Sequence, residues 1–85
     1  MFLKGIKFET ITFKYISMAK YCVNKSTDNE GDHEVHKEGC PWWPEAKNRI
    51  DLGNHSNCKD AVERAKEYYS NVNGHKYCSE ECHTT

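Results

Sequence analysis

Residues 31–40 read GDHEVHKEGC, and residues 77–83 read YCSEECH. The first stretch sets His36 four positions before Cys40; the second sets Cys78 four before Cys82, with His83 adjoining. Zinc takes four nitrogen and sulfur ligands in a tetrahedron, commonly two from each of two tight turns. A short spacer lets one turn present both side chains to a single ion. The two pairs stand far apart in the chain, so a shared ion would close a long loop and tie the ends of the body together. The spacing therefore predicts a structural zinc site made by His36, Cys40, Cys78 and Cys82. Two substitutions stay open at this point. His83 could stand in for Cys82, although neighbouring residues rarely both reach one ion. His33 could stand in for His36, although in an extended segment the two point to opposite faces.

Composition shows why such a staple is needed. The chain has 85 residues, room for one small domain. Leu, Ile, Val and Phe total only 13 of them, but a net charge of −1 excludes the highly charged composition of a disordered chain. Five Tyr and two Trp add bulk that can pack. A domain of this size buries only about 60% of its unfolded surface, so metals or disulfides often supplement the core. Zinc binding can supply roughly 10 kcal/mol of apparent folding free energy.

Five Cys is an odd number, so a closed set of disulfides would leave one thiol over. Lys4, Lys7, Glu9 and Lys14 interrupt the first twenty residues, which contain no apolar run like that of a secretory signal. No stretch approaches the roughly 18 apolar residues of a membrane span. These features lead to an expected cytoplasmic, reducing setting, in which clustered Cys and His serve a metal more often than a disulfide.

Outward from the first metal pair, residues 20–25 (KYCVNK) and His33 to His36 read as two strands joined by the polar turn STDNEGD. Asn48 to Leu52 gives a third short strand, ended by Gly53 and Asn54. Pro41 and Pro44 bracket Trp42 and Trp43, which are expected to cover the thin core. One helix is expected over residues 57–69: Asn57 suits the N-cap, Asp60 favours the first turn, and Cys58, Ala61, Val62, Ala65, Tyr68 and Tyr69 form one apolar stripe. On this reading Cys58 is an ordinary buried thiol and Cys22 a second free one. Ile6, Phe8, Ile11, Phe13 and Tyr15 alternate with polar residues, suggesting a strand or arm over residues 1–17 ahead of a zinc-binding domain over 18–85. The fold class is α+β, a small antiparallel sheet with one main helix.

YCVNK, GDHEVHKEGC, NRIDLG, NCKDAVERAKEYY and YCSEECHTT, taken in order, resemble small Cys-rich bacterial and phage proteins related to Ada-like metal-binding domains. The resemblance covers residues 21–85. It implies a compact α+β zinc domain with His36, Cys40, Cys78 and Cys82 as ligands. Two departures separate this chain from the DNA-repair pattern: His36 stands where a Cys would be, and the final pair is spaced by three rather than two. No methyl-accepting function is carried over.

For function, four protein ligands leave a zinc ion no open position for water, HEVH lacks the HExxH spacing of a metalloprotease, and the chain is short for a substrate pocket. The expectation is a non-enzymatic interaction module whose partner is another protein. Asp28, Glu30, Asp32, Glu34 and Glu38 flank the first metal pair, a charge pattern suited to a basic surface, as in an inhibitor carried by a phage or mobile element. The alternative is an Ada-like nucleic-acid-binding zinc domain. It would use the basic first twenty residues, with Lys47, Arg49, Lys59 and Arg64 gathered around a stacking Trp42 or Trp43. The acidic balance of the remainder weighs against it.

Overall fold

The computed structural model describes residues 17–84. Four strands form one sheet: β1 (Ala19–Thr27), β2 (His33–Lys37), β3 (Arg49–His55) and β4 (Val72–Gly74), in the order β3-β1-β2-β4. The one α-helix among the described residues, α1 (Cys58–Ala65), connects β3 to β4. The class is α+β, as the sequence indicates, but the sheet is mixed. β1 pairs antiparallel with β2 and β3, whereas β4 runs parallel to β2. The expected arm over residues 1–17, and with it the alternation from Ile6 to Tyr15, lies outside the described residues except for Ser17.

The β1–β2 hairpin closes through Asp28, whose Oδ1 accepts the backbone N–H groups of Glu30 and Asp32, both at 2.9 Å. A short carboxylate reaching its own backbone two and four residues on is the physical basis of such turns. Gly31 supplies the left-handed conformation there, with φ of 86°. The acidic residues of this turn thus sit at the end of the hairpin remote from Lys37 and Cys40.

β1 is one of the two interior strands, and its Tyr21, Cys22 and Val23 are all buried. Burial of three successive residues means that both faces of the strand are covered, since neighbours point to opposite sides. On one face Tyr21, Val23, Val35 and Leu52 pack against Cys58, Ala61 and Ala65 of α1. Cys22 faces the other way, beside His36, its partner across the hairpin. Small residues on the helix stripe let α1 lie close to the sheet, and fully burying each valine contributes about 1.5–3 kcal/mol.

Helix α1 starts as its sequence requires: the Asn57 side chain accepts the Asp60 N–H at 2.9 Å. Its regular part is shorter than the expected 57–69. Hydrogen-bonded turns continue to Tyr69, but Glu67 and Tyr68 bond to carbonyls three residues back rather than four. The tightening follows the common behaviour of a last helical turn. Tyr69 leaves the helix to stack on His33, with ring centroids 3.6 Å apart.

The C-terminal hook is held by a disulfide between Cys58 and Cys82, which corrects the expectation that Cys58 is a free thiol. Cys58 opens α1 on its buried side, and the tight turn Glu80–Cys82 lays Cys82 against it. Gly74 makes the approach feasible. A Cβ there would lie 2.7 Å from Cys82 Cβ and 2.7 Å from the Ser79 carbonyl oxygen, closer than side chains tolerate. Asn73 completes the clasp by accepting the Thr84 N–H at 2.9 Å and donating to the Thr84 carbonyl at 2.7 Å.

Candidate metal centre

His36 and His75 meet because β2 and β4 run parallel. The register sets Val35 beside Gly74, and the His75 N–H extends the ladder to the Val35 carbonyl at 2.9 Å. The residue after each of these two is a histidine, and the rings of His36 and His75 stack with centroids 4.4 Å apart. Each chain segment then turns to bring a cysteine back. Gly39, with φ of 98°, starts the turn that returns Cys40. The turn closed by the Ser79 N–H on the His75 carbonyl returns Cys78.

The four donor atoms form one compact group, all within 4.8 Å of one another. His36 Nδ1 lies 3.8 Å from Cys40 Sγ and 3.6 Å from Cys78 Sγ. His75 Nδ1 lies 3.8 Å from Cys40 Sγ and 3.4 Å from Cys78 Sγ. His36, Cys40 and His75 are buried, and Cys78 is half-buried. The arrangement could hold a metal ion.

Electrostatics favour donor chemistry. Burial, with the His75 imidazole alongside, pulls His36 down to about 4, which leaves its ring neutral with a lone pair to share. Burial also lowers His75. The Cys78 thiol is pushed up by burial and by its hydrogen bond with Cys40. A thiolate in that position requires a compensating positive charge. The Lys37 backbone N–H already points at Cys78 Sγ, at 3.5 Å. His36 Nε2 and Ser79 Oγ are buried without hydrogen-bond partners.

Three of the residues expected from sequence, His36, Cys40 and Cys78, come together here. Cys82 does not join them: its sulfur is bonded to Cys58, and His75 takes its place. The alternatives His33 and His83 are also engaged elsewhere. His33 Nδ1 donates to the Asn24 carbonyl, and His83 Nδ1 to the Gly74 carbonyl, both at 2.9 Å. A signal for His75 was present in the chain, because His75-Lys76-Tyr77-Cys78 is itself a histidine and cysteine at knuckle spacing. Gly74, which closes β4, leads directly into it.

Beside the cluster, Trp42 and Tyr77 project from the two ligand-bearing loops. Their rings stack with centroids 5.0 Å apart, and they are 55% and 63% exposed. The expectation that both tryptophans cover the core is thus corrected for Trp42. Trp43 is half-buried beneath the Arg49 guanidinium, which also donates to the Pro44 carbonyl. Two clefts, of about 300 and 390 Å³, share Tyr77, Cys78 and Lys37 in their linings, and Cys40 also lines the larger.

No protein-family model, curated protein or solved structure matches this chain. The Ada-like resemblance is neither supported nor opposed by these comparisons. No helix among the described residues is long and apolar enough to cross a membrane.

Proposed function

We propose that the chain is a non-enzymatic zinc-binding domain, in which His36, Cys40, His75 and Cys78 hold one tetrahedral ion, and that it works as a protein-interaction module. The observation that carries the metal reading is the ring of four nitrogen–sulfur separations, 3.4 to 3.8 Å. Zinc–sulfur and zinc–nitrogen bonds of usual length, set at the tetrahedral angle, separate N from S by about 3.6 Å. Two thiolates and two imidazoles in this geometry suit zinc. With four protein ligands the ion has no position left for water, which is the pattern of a structural rather than a catalytic site.

The interaction reading is supported by Trp42 and Tyr77. Large aromatic side chains are enriched at protein interfaces, where they act as anchors. These two are held by loops that the metal would stiffen, which lowers the ordering cost of binding. The disulfide bears on location as well. Persistent disulfides belong to oxidising compartments, so the proposal replaces the cytoplasmic expectation with an oxidising one.

Metal analysis of protein purified without chelator tests the first part. One zinc per chain is expected, and cobalt substitution should give the visible spectrum of a tetrahedral site with two sulfur ligands. An octahedral cobalt spectrum, or no bound metal, would refute the assignment. For the second part, Trp42→Ala with Tyr77→Ala should abolish capture of a partner while leaving zinc content unchanged.

A further inference from the structure

The five cysteines fall into three chemically different classes. Cys58 and Cys82 are already joined. Cys22 is a free thiol with none of its surface exposed. Cys40 and Cys78 are free, share one cluster of donors, and differ in access: Cys40 is 8% exposed and borders one cleft, whereas Cys78 is half-buried and borders both.

We infer that Cys40 and Cys78 form an oxidation site for small hydroperoxides, at which formation of a Cys40–Cys78 disulfide expels the metal. The inference rests on the metal reading above and adds its regulation. The two sulfurs stand within 4.8 Å of each other, so a bond between them means closing at most about 3 Å. The thiolate, the form in which zinc holds a cysteine, is also the nucleophilic form, and at Cys78 the clefts bring a small oxidant to it. Burial denies the same oxidant to Cys22.

The step balances. Cys78 sulfur attacks one peroxide oxygen, the O–O bond breaks, and a sulfenic acid forms on Cys78. Cys40 sulfur then displaces that oxygen as the S–S bond forms. The two thiolates lose two electrons in all, and hydrogen peroxide accepts them. Two solvent protons complete two water molecules. Both zinc–sulfur bonds are lost, and two imidazoles remain, too few to retain the ion. Because Trp42 and Tyr77 sit on the two loops concerned, loss of the ion would free the aromatic pair from its fixed arrangement.

The experiment treats zinc-loaded protein with hydrogen peroxide, follows zinc with a chromogenic chelator, and maps disulfides by peptide mass spectrometry. The expected result is one zinc released for each Cys40–Cys78 disulfide formed, with Cys58–Cys82 intact and Cys22 still a thiol. Zinc retained while both sulfurs stay reduced would overturn the inference, as would a new disulfide that includes Cys22. Protein that takes up no zinc before peroxide is added would fail the metal reading, and the inference with it. Cys78→His keeps four ligands but removes the dithiol, so it should hold zinc under the same peroxide treatment. Its release of zinc at the wild-type rate would count against the mechanism.

Discussion

Gly74 sits between the disulfide and the His/Cys cluster. It ends β4 in register with Val35, delivers His75 to the cluster, and leaves space for Cys82 to reach Cys58. Gly74→Ala should therefore lower stability by about 1–3 kcal/mol, the usual range for forcing extra volume into a packed site, as measured by urea denaturation. His75 and His83 make a sharper contrast, since both are histidines near Cys78. His75→Ala should weaken zinc binding by at least about 100-fold, more than the loss of a group that merely hydrogen-bonds to a metal ligand costs, whereas His83→Ala should leave zinc stoichiometry unchanged. Competition with a zinc chelator of known affinity checks both. The contrast also shows what spacing alone cannot decide. Cys78 lies at knuckle distance from His75 on one side and from Cys82 on the other. Which neighbour shares its site is fixed by strand pairing and by the approach that Gly74 allows.

At the level of elements, legibility tracks the strength of the local signal. The hairpin was readable because a polar turn separates two apolar stretches, and α1 because Asn57 caps an unbroken apolar stripe. Asn57→Ala should cost about 1 kcal/mol, the common value for a lost N-cap, detectable as a lowered denaturation midpoint with an unchanged slope. β4 was not readable. Three residues carry no periodicity, and a parallel partner is set by the crossover through α1, a long-range event with no local mark. The disulfide was missed for a related reason: Cys58 fitted the apolar stripe well enough to conceal its bond. In the chain-entropy picture, closing the 24-residue separation between Cys58 and Cys82 contributes about 3–4 kcal/mol. Cys58→Ser with Cys82→Ser should lose that amount in denaturant titration while zinc still binds.

For the molecule as a whole, a core of a few apolar side chains is supplemented by a disulfide and by a His/Cys cluster that could hold a metal ion. The disulfide fastens the segment from His75 to Cys82 to α1, and a metal in the cluster would fasten it to β2 and its turn. Chelator alone and reductant alone should each lower the melting temperature, by about 4–8 °C per kcal/mol lost in a domain this size. Together they should abolish the cooperative transition followed by circular dichroism. If chelator has no effect on the melting temperature, the cluster does not stabilise the fold through a metal.

The Cys58–Cys82 bond also governs how the chain answers to tension. When the molecule is stretched from residues 17 and 84, force passes through the sulfur bridge and bypasses everything between its ends. In an optical trap, unfolding should therefore come up short by about 80 Å of contour length, a deficit that a reducing buffer would restore.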